Sequence, residues 1–431
     1  MNTAAIALEA ELKVSIMAES LIGSEIIKLA GEINEKIRNG EKIYNLTIGD
    51  FNPKLFPIPA LLKKEIIAAY TNDETNYPPA DGILQLRQVL SSQLKNRMKL
   101  DYPADQILIA GGARPLIYAT FQAIVDSGDK VLFPVPSWNN NHYSHLSSTQ
   151  QLAVETKPEN NFMPTADELR PYIGEANLLA LCSPLNPTGT VFTEAGLKEI
   201  CELILSENKK RVAKGSKPLY LMYDQIYWTL TFGNTLHFDP VSICPEMKQY
   251  TVFIDGLSKS FAATGVRVGW AFGPKKLIDK MKAILGHVGA WAPKPEQVAS
   301  ANYMKHENEV DSFLVEIKGK ISSRLDAIYK GVILLKNEGY PINAIPPQAA
   351  LYLTVQLNLV GAKTMDGNIL SNSKEVNKYI LDEAKIGIVP FSAFGSSSDS
   401  TWYRISVGTC TVEEIPQLVS NLKNALRKLQ F

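Results

Sequence analysis

The sequence predicts an α/β protein with a large domain, built on a mostly parallel sheet flanked by helices, and a smaller α+β domain. Two observations carry this. From about residue 105 to Pro274, short apolar runs alternate with amphipathic stretches, the pattern of strands covered on both faces. Beyond Pro274 the chain becomes long, helical and charged over 296–337, then returns to short strands. A length of 431 residues suits two or three domains. The expected division is an N-terminal segment, 1–56, joining the small domain, a large domain over 57–305, and a small C-terminal domain over 306–431.

The elements follow in order. Residues 24–39 have helical apolar spacing and stop at Gly40. The Pro-rich stretch 51–59 cannot be one regular element. Strands are expected at 106–110, 130–133, 176–182, 219–223, 251–254 and 266–272. Gly111-Gly112 opens a helix to Ser127, and another helix runs over 194–214. In the small domain, strands at 351–356 and 403–407 alternate with helices at 376–384 and 412–429.

Composition excludes several classes. Lys+Arg (44) balances Asp+Glu (44), so bulk attraction to nucleic acid or an anionic membrane is not expected. No apolar run reaches the ~18 residues of a membrane span. The four cysteines are far apart and form no C-x-x-C pair, which disfavours a disulfide framework and favours a reducing cytoplasm. The first twenty residues lack a basic region ahead of an apolar stretch, so no signal peptide is expected. His142 and His145 stand three apart without a Cys or carboxylate cluster, so no metal site is expected. There is no P-loop and no G-x-S-x-G elbow.

In open α/β sheets ligands bind beyond the carboxyl ends of the strands, so the residues that follow each strand are the candidates. Gly111-Gly112-Ala113-Arg114 is either a plain turn or a helix start that holds an anion. Trp138 is either core or a surface for a planar ligand. Asn186, within Asn186-Pro187-Thr188-Gly189, can point an amide into a crevice. Asp224 caps a helix or serves a ligand, with Tyr227 close behind. Lys259 sits among small and apolar residues in Ser258-Lys259-Ser260; it is a loop lysine or a nucleophile of lowered pKa. Arg267 follows eight residues later. Taken together these fit one ligand with a phosphate, a flat ring, a protonated ring nitrogen, a ring oxygen and a carbonyl carbon beside a lysine. That ligand is pyridoxal 5′-phosphate.

From about Ser20 to the end the sequence resembles the class I/II aminotransferases, the fold-type-I pyridoxal-phosphate enzymes of the aspartate aminotransferase superfamily. The motifs are Tyr77…Asp81-Gly82, Gly111-Gly112, Pro136-Ser137-Trp138, Asn186-Pro187-Thr188-Gly189, Asp224-Gln225-Ile226-Tyr227, Ser258-Lys259-Ser260-Phe261…Gly265-Val266-Arg267-Val268-Gly269-Trp270 and Tyr403-Arg404-Ile405-Ser406. The resemblance implies transfer of an amino group between an L-amino acid and a 2-oxo acid through a Lys259 Schiff base. It further implies Asp224 on the ring nitrogen, Asn186 and Tyr227 on the ring oxygen and Trp138 over the ring. Gly112, Ala113, Arg114, Ser258 and Arg267 would lie at the cofactor's phosphate end. Arg404 would clamp the substrate α-carboxylate, with Gly49 and Asn186 beside it. Tyr77 would reach the phosphate of the other subunit in a homodimer with shared sites.

There are departures from the family pattern. Gly256 stands where Ser or Thr is common, and Ala113 where one aspartate-specific branch has Lys. The stretch Gly289-Ala290-Trp291-Ala292-Pro293-Lys294 contains no arginine, so a preference for aspartate is not expected, and Trp291 suits aromatic or large apolar side chains. Two alternatives remain. One is a β/γ-lyase or ring-closing enzyme on the same scaffold. The other is a ligand-sensing regulator, which needs a DNA-binding domain ahead of the core, whereas only about 40 residues without basic excess precede Gly49.

Overall fold

A computed structural model describes residues 13–21, 23 and 25–431. Residues 1–12 of the stretch considered for a signal peptide, and Ser24 at the start of the first expected helix, lie outside the described residues.

The large sheet has seven strands: β1 (Ile107–Ala110), β2 (Lys130–Val135), β3 (Gln150–Glu155), β4 (Leu178–Cys182), β5 (Tyr220–Asp224), β6 (Thr251–Gly256) and β7 (Gly269–Phe272). Their order is β1-β7-β6-β5-β4-β2-β3. The ladders joining β3, β2, β4, β5 and β6 are parallel. β7 runs antiparallel to both its neighbours. Alternate residues serve opposite cores. Leu179, Leu181, Leu221, Tyr223 and Phe253 pack on one face with helix Glu194–Ala213. Leu178, Ala180, Met222, Val252 and Ile254 pack on the other with helices Ala113–Ile124 and Lys275–Val288. This double coverage is why these strands read as continuous apolar runs. The edge strand β3 is mostly exposed, with only Val154 buried, so its polar sequence gave no such signal.

A second, antiparallel sheet contains β8 (Ile342–Ala344), β9 (Tyr352–Leu357), β10 (Val389–Pro390) and β11 (Trp402–Ser406), in the order β10-β11-β9-β8. Helices Glu307–Asn337 and Ile415–Arg427 share a core with it. The N-terminal segment joins this half through a parallel pair, Tyr44–Asn45 with Ile386–Gly387.

Several boundaries differ from expectation. The helical stretch 296–337 is two helices, Lys294–Met304 and Glu307–Asn337. The first packs on helix Ala60–Thr71 and the second on β8 and β9, so the chain changes partner at Lys305-His306. The strand expected from Val266 begins at Gly269, because Arg267 has a left-handed backbone, φ +60°. The helix at 376–384 is Ser373–Tyr379 followed by a wider turn, Ile380–Ala384. The helix from Gly111-Gly112 ends at Ile124, and the closing helix starts at Ile415.

The loop after β4 is clasped to β9. Thr354 Oγ1 donates to the Thr188 carbonyl at 2.9 Å, and the Ala349 N–H donates to the Gly189 carbonyl at 2.9 Å. Gly189 has φ +69°, and a Cβ there would collide with the Tyr352 carbonyl and crowd that of Ala349. Gly189→Ala should therefore destabilise the protein by at least about 1–3 kcal/mol from backbone strain alone. A fall in the urea midpoint at unchanged m-value checks this.

Candidate active site

A cavity of about 600 Å³ opens beyond the carboxyl ends of β4, β5 and β6, between the two cores. It is lined by Gly49, Ala113, Arg114, Trp138, Asn186, Asp224, Tyr227, Ser258, Lys259, Arg267 and Arg404. Of the residues expected from sequence, Gly112 and Tyr77 do not line it.

Asp224 is the last residue of β5, paired in register with Cys182 on β4 and Ile254 on β6. Its Oδ1 accepts from the Ile226 N–H at 3.1 Å. Burial raises its pKa to about 6, opposed by that N–H and by the charge of Lys259. Lys259 lies on the short helical turn Leu257–Ser260 that follows β6. Its Nζ donates to the Gly49 carbonyl at 2.6 Å. Burial lowers its pKa to about 8; the Asp50 carboxylate resists this, and Arg404, Arg114 and Arg267 add to it. Among the described residues neither group has an ion-pair partner within salt-bridge distance, unlike the surface pairs such as Lys36–Asp382 at 2.8 Å.

The opposite wall is set by β11. Arg404 is 1% exposed. Its Nη1 donates to Asn186 Oδ1 at 3.0 Å and its Nη2 to the Thr47 carbonyl at 2.5 Å. The guanidinium lies 4.8 Å from both the Tyr352 and Phe394 ring centres, and its buried Nε has no partner. Tyr227 and Tyr352 share a hydroxyl–hydroxyl bond of 2.7 Å.

The Gly-Gly helix start is shaped by Arg267. That guanidinium donates to the Thr264 carbonyl at 2.7 Å and to the Gly111 carbonyl at 2.8 Å. Gly112 has φ +96°, and a Cβ there would overlap the guanidinium, so only glycine fits. The Gly112 N–H turns back to the Ala110 carbonyl at 2.7 Å. The first-turn N–H groups of Ala113 and Arg114 are the ones without a carbonyl partner inside the helix. Arg114 lies 5.3 Å from the Trp138 ring centre, so a guanidinium and an indole flank one side of the cavity. Tyr77 is 82% exposed and meets Trp291 edge-on at 5.3 Å, outside its own chain's cavity.

Sequence reasoning missed several participants. Asp50 and Thr47 lie in the segment around Gly49, where the chain gives no strand or helix pattern. Tyr352 was absorbed into a strand as an apolar residue. Ile26, Ile27 and Ala30 of helix Glu25–Arg38 form the rim, although the helix was read only for its spacing. Asp255 is buried behind the site; it accepts from Trp228 Nε1 at 2.9 Å, and burial raises its pKa to about 8. Among the described residues no three His, Cys, Asp or Glu side chains gather to hold a metal ion.

A cavity of this kind, with an amine of lowered basicity, a carboxylate one strand away and three guanidinium groups, suits an anionic ligand bearing a carbonyl. The profile of the family described as aminotransferase class I and II matches residues 41–422. A probable aspartate/prephenate aminotransferase of Rickettsia typhi is 28% identical over 378 residues, 87% of this chain and 90% of its own length. The aspartate aminotransferase of Bacillus subtilis is 26% identical over 425 residues, 97% of this chain and 100% of its own. Among solved structures, the aspartate aminotransferase from Rhizobium meliloti matches with a TM-score of 0.88 at 24% identity, covering 97% of this chain and 100% of that one, which shows the shared fold.

The lowered basicity of Lys259 is directly measurable. At pH 7.5, an amine of pKa about 8 is roughly one-quarter neutral, against about 0.1% for an ordinary lysine. Acylation of Lys259 in cofactor-free protein, followed by peptide mass spectrometry, should rise with pH through a midpoint near 8. A midpoint above 10 would show that the amine is simply solvated.

Proposed function

We propose that this protein, which belongs to the class I and II aminotransferases, uses pyridoxal 5′-phosphate held on Lys259 to move an amino group between an L-amino acid and a 2-oxo acid. The observation that carries this is the half-buried Lys259 amine, hydrogen-bonded to the Gly49 carbonyl, in one cavity with Asp224 and Arg404. The residues present fit the cofactor. Asp224 has one backbone donor and its remaining acceptor capacity faces a ring nitrogen site. The glycine-only cradle at Gly112 and Arg267, the first-turn N–H groups of Ala113 and Arg114, and Ser258 fit a phosphate. Trp138 offers a flat face beside them. When bound, the cofactor supplies an electron sink for the pair released from the substrate's α-carbon.

The chain's own residues do the rest. Asp224 would keep a proton on the ring nitrogen; a cationic partner would lower its pKa below the value of about 6 that burial imposes. Lys259 would hold the cofactor and, as a free amine, would be the base that carries a proton at the substrate's α-carbon; a pKa near 8 suits that work at neutral pH. Arg404 would receive the substrate carboxylate on the in-plane edge of its donors, and Asn186 and Thr47 keep it aimed. Tyr227 and Asn186 serve the ring oxygen. Asp50, through its charge on Lys259, disfavours loss of the lysine's proton.

The assembly we propose is a homodimer in which Tyr77 completes the partner's phosphate site. Its exposure and its place outside its own cavity support this, as do the exposed Ile67 and Tyr70 on helix Ala60–Thr71. We place the enzyme in the cytoplasm, since all four cysteines are free thiols. No helix among the described residues is long and apolar enough to cross a membrane.

The test is a half-reaction screen. Each amino acid is mixed with holoenzyme, the cofactor's absorbance is followed to its amine form, and 2-oxoglutarate is then added to restore it. Return of the starting spectrum with release of glutamate supports transfer; release of ammonia without formation of the amine form identifies elimination instead. Lys259→Ala should lower turnover by at least about 10²–10⁴-fold, the usual worth of acid–base catalysis, with cofactor still bound non-covalently. Arg404→Lys should raise KM about tenfold or more for every amino acid alike, since a point charge replaces a two-donor fork worth roughly 1.5–3 kcal/mol per charged hydrogen bond. An effect confined to one side-chain class would move Arg404 from the carboxylate to the side chain.

A further inference from the structure

We propose that Tyr352 is a positioning residue that sets the direction of the Tyr227 hydroxyl and thereby tunes the proton held by the cofactor-bearing Lys259. This rests on the reading that pyridoxal phosphate is held on Lys259 with Tyr227 at its ring oxygen. Tyr352 lies on β9, is 1% exposed and lines the cavity. Its hydroxyl is 2.7 Å from that of Tyr227, with the rings 5.6 Å apart at 70°. The same hydroxyl seats on Gly49, where a Cβ would come within 2.6 Å of it. The carbonyl of Gly49 holds Lys259 Nζ. Tyr352 thus touches both the Tyr227 phenol and the residue that receives the lysine.

A pair of neutral phenols shares one of its two hydrogens, so one hydroxyl donates and the other is left with its hydrogen free. Burial raises the pKa of both phenols, Tyr227 further than Tyr352, and the Arg404 guanidinium, 4.8 Å from the Tyr352 ring, opposes that rise; Tyr352 is thus the less raised of the two and the one we assign as donor. The hydrogen of Tyr227 is then free to point into the cavity. The other titratable or charged neighbours of the pair are Lys259, whose Nζ lies 6.0 Å from the Tyr227 ring centre, Cys182 on β4 and Asp50 in the N-terminal segment. A phenol that both receives a hydrogen bond and gives one is the stronger donor, because the two bonds polarise each other. Directed at the ring oxygen, it stabilises the oxygen's negative charge and so weakens the hold on the proton shared with the lysine nitrogen.

The experiment is a spectrophotometric pH titration of resting holoenzyme, without substrate, for the wild type, Tyr352→Phe, Tyr352→Leu and Tyr227→Phe. Tyr352→Phe keeps the ring over Arg404 and loses only the hydroxyl. Its absorbance midpoint should rise by roughly 0.5–1 pH unit, the equivalent of one neutral hydrogen bond, with KM for amino acids within about twofold of wild type, since the planar contact with Arg404 is kept. Tyr352→Leu should raise both the midpoint and KM. A midpoint unmoved in Tyr352→Phe but raised in Tyr227→Phe overturns the proposal and leaves Tyr352 as packing. A midpoint unmoved in both overturns it together with the placement of Tyr227 at the ring oxygen.

Discussion

Everything in this fold turns on keeping an amine and a carboxylate out of bulk water without letting them neutralise each other. Lys259 and Asp224 end or follow adjacent parallel strands of one sheet, so the backbone fixes their separation before any side chain packs. Desolvation pushes the two toward neutrality from opposite sides, to about 8 and about 6. Each is therefore poised where a small change in its surroundings moves a proton. A direct salt bridge would have consumed that sensitivity. The Gly49 carbonyl, a neutral acceptor, holds the amine instead.

The second requirement is that the walls come from distant parts of the chain and still meet to within a hydrogen bond. Arg404 on β11 donates to Asn186 from the loop after β4 and to Thr47 from the N-terminal segment. The Thr188 carbonyl in turn accepts from Thr354 on β9. The large sheet thus supplies the lysine and the carboxylate, and the small sheet supplies the guanidinium. Beside these polar contacts the two halves share apolar packing, with Ile226 and Leu230 in the small-sheet core and Phe162 against Phe391 and Trp402. Glycines at 49, 112 and 189 stand where Tyr352, Arg267 and the β9 backbone leave no room for a Cβ.

Most of this was legible in the sequence because strands buried on both faces advertise themselves, and their carboxyl ends name the residues that follow. Asp224, Lys259, Asn186 and Ala113 were found in that way. The edge strand β3 was not, because an exposed strand has no apolar run to show. The break at Lys305-His306 was invisible, since helix-forming residues continue across it and only the change of packing partner ends the helix. Tyr352 escaped because a tyrosine in a strand reads as apolar filling, and only a fold that brings β9 to Tyr227 shows its hydroxyl at work. Gly112 was expected to lend its N–H to a phosphate. The fold adds a reason for glycine there that the sequence did not show: the absence of a side chain admits Arg267.

The central claim is that Asp224 holds a proton on the ring nitrogen of a bound pyridoxal phosphate. The most direct measurement is the nitrogen-15 chemical shift of ring-labelled cofactor on the enzyme, taken between pH 6 and 9 for the wild type and Asp224→Ala. The account predicts a protonated ring nitrogen throughout in the wild type and an unprotonated one in the variant. An unprotonated nitrogen in the wild type, or a protonated one in Asp224→Ala, contradicts it.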